Sequence, residues 1–329
     1  DPLGESDFRQ ALAKHFAKDG IAIAASDLII SSGCMDSVKL ALSATTNKGD
    51  LVLVPSPCFN GHLRLLSHLG LSVLEVPIAN DGLDIEYILE AMASGDIKAC
   101  LLSAAFQNPV GYSLSPSDKV RLARAASDYN CPIIEDDVFG ECSHIKNRPV
   151  PIKSYDKEGA VLWCGSFSKT LSAGYRVGWL AAGRYRDSIA NDIINMSQFV
   201  SVPMQLGLAD FLNSGAYRRH LNKFRTELQV NVNKMYNYLC ATIGHNCKIN
   251  KSSGGYAFWI ELPESVDSLA LFKKASENNI SLLPGYMFSS SDKFASYIRL
   301  NSGNEWSARL ELAVQKLATY IDMLAAKKS

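Results

Sequence analysis

Gly165-Ser166-Phe167-Ser168-Lys169-Thr170-Leu171-Ser172-Ala173-Gly174-Tyr175-Arg176-Val177-Gly178 sets a single lysine among small and hydroxyl side chains, directly after the apolar run Ala160 to Cys164. A lysine at the end of a buried strand is costly as an ammonium, because desolvation disfavours the charged form. A lysine discouraged from holding its charge is the group that condenses with an aldehyde cofactor to form a Schiff base. Ser166, Ser168 and Arg176 suit a phosphate: hydroxyls donate hydrogen bonds to its oxygens and a guanidinium grips them two at a time. The same residues also fit a Ser/Gly-rich turn whose Lys169 and Arg176 point into water, so the flanking chain has to decide.

Working outward, Asp27–Ser31 reads as a buried strand, Ser32-Gly33-Cys34-Met35 as a tight turn, and Asp36–Thr46 as a helix. A strand, a glycine turn and a helix N-terminus together present free backbone N–H groups to an anion, although this is also an ordinary strand-to-helix connection. Strand and helix patterns then alternate: Leu51–Val54, Gly61–Leu69, Ser72–Val76, a turn at Asn80-Asp81-Gly82, a helix to about Ala93, and Lys98–Ser103. Gln107-Asn108-Pro109-Val110-Gly111 closes that last strand with a turn signal. Ser115, Pro116 and Asp118 supply the cap, first-turn proline and third-position acid of a further helix. Pro132–Phe139 is an apolar strand ending in the acids Glu135, Asp136 and Asp137, and such sheets bind ligands at the carboxyl ends of their strands.

This rhythm argues an α/β fold: a large domain with a mostly parallel sheet covered by helices on both faces. After helical patterns at Arg184–Met196 and Pro203–Leu212, a long helix over Ala216–Ile243 carries the chain away from it. The alternating run Gly254–Pro263, a helix Leu269–Asn278, a strand Tyr297–Leu300 and a last helix near Trp306–Ala325 make a smaller C-terminal α+β domain. The expected division is residues 1–22 as an N-terminal segment packing with the small domain, 23–212 as the large domain, and 213–329 as the small one. In the N-terminal segment, Ser6–Lys18 has Phe8, Leu12 and Phe16 on one helical face, with Ser6 as its cap.

Ser166–Leu171 followed by Gly174–Gly178 resembles the cofactor-lysine signature of fold-type I pyridoxal-phosphate enzymes, the class I/II aminotransferases. The resemblance runs over nearly the whole chain. It implies that Lys169 holds pyridoxal 5'-phosphate as a Schiff base and moves the substrate proton, with Ser166, Ser168 and Arg176 on the phosphate. It further implies that Gly33, Cys34 and Met35 form the phosphate loop, mainly through backbone. Phe59 matches the aromatic that stacks on the cofactor ring, and Asn108 the asparagine that bonds its phenolic oxygen. Asp136 matches the acid at the pyridine nitrogen, and Arg299 the arginine that binds the amino-acid carboxylate. Two departures stand out: Ser172-Ala173 replaces a pair that usually ends in proline, and Phe139 stands where a tyrosine normally donates to the phenolic oxygen.

Pro2-Leu3-Gly4, Glu135–Glu141 and Pro149-Val150-Pro151-Ile152 look most like the aminotransferase-like domains of MocR-type regulators of the GntR superfamily. That resemblance implies a homodimeric effector-binding domain, with DNA read by a winged helix-turn-helix that this stretch lacks. The chain opens without methionine and is read as part of a longer protein. A free-standing amino-acid aminotransferase is the alternative.

Composition is consistent with either. Lys plus Arg and Asp plus Glu both number 33 in 329 residues, so no net field favours nucleic acid or acidic lipid. No apolar run approaches the roughly 20 residues that span a bilayer. The eight cysteines form no CxxC pair and several sit in apolar runs, as in reduced, buried thiols of a cytoplasmic protein. Cys58, His62 and His68 are neighbours in sequence but lack helical metal-ligand spacing, and no metal site is expected.

Overall fold

The computed structural model describes residues 1–79, 82–145, 147–196 and 199–326; of the turn expected at Asn80-Asp81-Gly82, Asn80 and Asp81 lie outside these. The chain begins with α1 (Ser6–Ala17), β1 (Leu28–Ser31), α2 (Cys34–Thr45), β2 (Leu51–Ser56), α3 (Asn60–His68), β3 (Ser72–Ala79) and β4 (Gly82–Leu83). It continues through α4 (Ile85–Ser94), β5 (Ile97–Leu102), α5 (Pro116–Asp128), β6 (Ile133–Asp136), β7 (Val161–Ser166), β8 (Gly178–Ala181), α6 (Arg186–Met196) and α7 (Val202–Asn213). The 28-residue α8 (Ala216–Ile243) leads into β9 (Lys248–Ile249), β10 (Ala257–Glu261), α9 (Ser268–Ser276), β11 (Leu283–Pro284), β12 (Tyr297–Asn301) and α10 (Ala308–Ala326).

Two sheets result, in the orders β1-β8-β7-β6-β5-β2-β3-β4 and β11-β12-β10-β9. In the first, β3, β2, β5, β6 and β7 are parallel, while β8, β1 and the short β4 run against their neighbours. The central strands read as unbroken apolar runs because both faces are covered: β6 and β7 are buried at every residue. The second sheet is antiparallel throughout. Its core joins Phe258, Ile260, Ile298 and Leu300 to Leu228, Val232, Met235 and Leu239 of α8 and to Val314 and Leu317 of α10. The other end of α8 belongs elsewhere: Tyr217 and Leu221 pack with Trp163, Phe167 and Trp179 beside the large sheet.

Helix α1 differs from expectation in its cap. Its start is not capped by Ser6; Glu5 is the N-cap residue, its side chain makes no cap bond, and its backbone N–H goes to Gln205 Oε1 at 2.7 Å. Phe8, Leu12 and Phe16 join Trp163, Phe167 and Trp179 at the β7–β8 end of the large sheet, Leu208 of α7, and Tyr217 and Leu221 at the start of α8. Apolar periodicity shows that a helix buries one face but not against what. The three side chains are fully buried, a burial of about 1.5–3 kcal/mol each, and this holds the helix there.

Pairing register brings the key loops together. Ser31 of β1 and Ser166 of β7 both lie opposite Gly178 of β8. The ends of β1 and β7 and the start of β8 therefore meet at one edge of the sheet. Gly178 is required there, since a Cβ would lie 2.7 Å from both the Gly165 carbonyl oxygen and Gly33.

Candidate active site

At the carboxyl edge of the parallel strands lies a cleft of about 260 Å³ lined by residues from both sheets. The lysine comes from the turn after β7: Phe167–Lys169 form one turn of 3-10 helix, and Ser166 Oγ accepts from the Ser168 N–H at 3.4 Å. Half-buried Lys169 meets the Phe139 ring, with Nζ 5.7 Å from its centroid, and no carboxylate is within ion-pair distance of it among the described residues. The segment after the lysine is anchored from α8. His220 Nε2 lies 2.6 Å from the Thr170 carbonyl oxygen, and the Thr170 and Tyr217 hydroxyls are 2.9 Å apart.

Arg176 adopts the left-handed conformation (φ 51°, ψ 43°) and donates from Nη2 to the Ser32 carbonyl. This lays the guanidinium over Gly33, whose φ of +94° favours glycine and where a Cβ would lie 2.9 Å from Arg176 Nη2. Cys34 and Met35 open α2, presenting the first unpaired N–H groups of a 12-residue helix beside Arg176, Ser166 and Ser168. Positive charge, hydroxyls and free amides thus converge at one end of the cleft, the combination that holds a phosphate.

Asp136 ends β6 and is buried. Burial alone would raise its pKa, but His62, the Val138 N–H and Cys34 outweigh that and leave it lowered, so the carboxylate is ionised. Phe59 follows β2, with its ring edge-on to His62 at 5.3 Å. Asn108, after β5, has a buried Oδ1 without a hydrogen-bond partner among the described residues. Arg299 reaches the cleft from β12, paired with Trp259 of β10 and Leu283 of β11. Its Nε is likewise buried and unpartnered, and burial lowers its pKa against the opposing pull of Tyr256.

Ten of the eleven expected site residues line this single cleft, and Gly33 lies directly behind Arg176. Sequence reasoning missed Tyr256, Ser103 and Asn301, which also line it, and His62, which stands behind Asp136. Tyr256 follows Gly254-Gly255, a pair that signals a close backbone approach and could have drawn notice. His62 carries no such signal; only folding places α3 beside the end of β6.

Comparison with known proteins agrees with this geometry. Residues 1–317 match Aminotransferase class I and II. The chain is 36% identical over 321 residues to the uncharacterized HTH-type transcriptional regulator YdcR of Escherichia coli K12, covering 97% of this chain and 69% of that protein. It is 25% identical to aromatic-amino-acid aminotransferase 1 of Thermococcus litoralis, over 97% of this chain and 78% of that one. Among solved structures, kynurenine aminotransferase of Pyrococcus horikoshii in complex with PMP superposes with a TM-score of 0.89 at 25% identity, covering 98% of this chain and 81% of that one. The aminotransferase class I and II family is thus the family to which this chain belongs.

Proposed function

We propose that this chain is a pyridoxal 5'-phosphate-binding, aminotransferase-like domain that takes amino acids as ligands and serves as the effector-binding part of a MocR-type regulator. The observation that carries the reading is the meeting, in one cleft, of an unpaired lysine, an anion cradle, a buried ionised carboxylate and a second arginine. Regulator relatives longer than this chain favour the sensing role: it spans 69% of YdcR's length.

The residues fit the cofactor. Arg176, Ser166, Ser168 and the amides of Cys34 and Met35 would hold its phosphate around the space that Gly33 leaves open. Asp136 would hold its ring nitrogen, Phe59 would cover its ring, and the unpartnered Asn108 would bond its phenolic oxygen. When bound, pyridoxal phosphate supplies an electron sink for the Cα of an amino acid. Lys169 Nζ is the base and acid that takes the Cα proton and returns it. Arg299 orients the ligand carboxylate through its forked donors, answering its own unpaired Nε. Phe139 sets its ring beside the lysine and brings no hydroxyl to the cleft.

In this reading the domain is cytoplasmic and homodimeric, binds no nucleic acid itself, and reports to a DNA-binding domain elsewhere in the protein. No described helix is long and apolar enough to cross a membrane. A second reading, a free-standing amino-acid aminotransferase, is favoured by the likeness to the Thermococcus litoralis enzyme. Titrating the cofactor-loaded protein with a panel of amino acids separates the two. A shifted absorption band without oxo-acid product is the sensor's result. Stoichiometric oxo acid, reversed by a second oxo acid, is the enzyme's result and would overturn the sensing role.

A further inference from the structure

Two donors lining the cleft are left without a partner. Arg299 is half-buried, and its guanidinium makes no hydrogen bond or ion pair among the described residues. Tyr256, which no role above has used, is the other: its hydroxyl also bonds to no described residue. Burial and the Cys142 thiol hold that hydroxyl's pKa above the ordinary tyrosine value, against the pull of Arg299, so it keeps its proton. Backbone fixes the pair. The Tyr256 carbonyl accepts from the Ser302 N–H at 2.8 Å and the Ser302 hydroxyl at 3.1 Å, which ties the tyrosine to the end of the strand carrying Arg299. From the other side the Gly255 N–H donates to the Cys142 carbonyl at 2.8 Å, and the Tyr256 ring stands edge-on to Phe139 at 5.1 Å. Gly303 leaves room for that ring, since a Cβ there would lie 3.3 Å from Tyr256 Cδ2. The carboxylate that lines the cleft, Asp136, is already engaged by His62, the Val138 N–H and the Cys34 thiol.

We infer that the Tyr256 hydroxyl binds the carboxylate of the amino-acid ligand alongside Arg299, so that the cleft selects amines carrying an α-carboxylate over amines without one; this role rests on the amino-acid binding proposed above. Arginine offers donors and no acceptor, and a protonated phenol offers one more donor. Donors shielded from water and left unpaired are costly, and a carboxylate presents two oxygens that satisfy both groups at once. An amine lacking the carboxylate leaves both unpaired. A site built to hydrogen-bond its ligand rejects such an analogue far more strongly than an apolar pocket does. Pairing of β10 with β12 and the Ser302 bonds set the spacing of the two donors before a ligand arrives, so little ordering is lost on binding.

The test compares wild type with Tyr256→Phe, each loaded with pyridoxal phosphate. Both are titrated with the proteinogenic amino acids and with the amines left when each loses its carboxylate, such as ethylamine for alanine and phenethylamine for phenylalanine. The shift of the cofactor absorption band gives each affinity, and circular dichroism checks the fold. Phenylalanine keeps the ring against Phe139 and removes a hydroxyl that bonds to no described residue, so the variant should fold as wild type does. Loss of a hydrogen bond to a charged group predicts about tenfold to hundredfold weaker binding of the amino acids. Affinity for the amines and for the cofactor should match wild type, so the preference for acid over amine falls by the same factor. A variant that binds amino acids as wild type does, or that loses amino acids and amines alike, overturns the inference alone. So does weakened cofactor binding, which would place the hydroxyl on the cofactor instead. A wild type that binds no cofactor, or whose cofactor band answers to no amino acid, overturns the proposed function first and this inference with it.

Discussion

Replacing Arg148 with methionine should destabilise the protein by about 3–5 kcal/mol at pH 8, the cost of breaking a buried ion pair and leaving a charge behind. Arg148 is wholly buried and ties together Asp137 and Glu141, themselves only 2% and 5% exposed. The two acids are not left in equal difficulty. Glu141 keeps Arg225, whose Nη2 lies 3.3 Å from Oε2, whereas among the described residues Asp137 keeps only the Trp163 N–H, at 2.8 Å. Most of the cost should therefore fall on Asp137. Burial already raises its pKa against the pull of Arg148, and losing that guanidinium raises it further.

The sign of the pH dependence follows. A carboxylate whose folded pKa lies above its unfolded value, near 3.9, contributes favourably at low pH and loses that contribution as pH rises through the folded pKa. The deficit of the variant should thus be smaller at pH 5 than at pH 8. Urea unfolding at both pH values, with circular dichroism as readout, measures it. A deficit under about 1 kcal/mol at pH 8, or one that does not change with pH, refutes the argument.

Two further outcomes can be checked on the same preparations. Glu135 is raised to about 7 by burial and then by the charge of Asp137, against the opposing Ile152 and Lys153 N–H groups and Lys119. Wild type should accordingly lose stability as pH climbs from about 4.5 to about 7, by roughly 3 kcal/mol from this group. Glu135→Gln should flatten that slope in a thermal or urea series, and an unchanged slope counts against it. Arg299→Leu should weaken amino-acid binding about tenfold to hundredfold, as expected for a lost charge-assisted bond, while leaving cofactor absorption as in wild type. Equal amino-acid affinity in that variant would remove Arg299 from the proposed role.

What the sequence discloses is what strand ends and turn chemistry encode. Lys169, Asp136 and Asn108 follow apolar runs whose ends must lie at one edge of a parallel sheet, and the cleft forms at that edge. The cap at Ser115 is equally local: its Oγ accepts from the Asp118 N–H at 3.1 Å, as the spacing of serine, proline and acid predicts. Contacts made only by the folded chain stay hidden. His62 reaches Asp136 across 74 positions because α3 packs beside the end of β6, and nothing in the spacing records it. Helix α1 shows the same limit from the packing side. Its apolar face is legible, but its partners are aromatic residues more than a hundred positions away. The antiparallel turn-back of β8 and β1 is likewise not written in their short apolar runs, yet it brings Arg176 over Gly33.

The most direct test of the account is borohydride reduction of the protein equilibrated with pyridoxal phosphate, followed by digestion and mass spectrometry. The account predicts that the cofactor mass is fixed on the peptide carrying Lys169 and is absent from that peptide in Lys169→Ala. Attachment to other lysines alone, or no attachment at all, would contradict it.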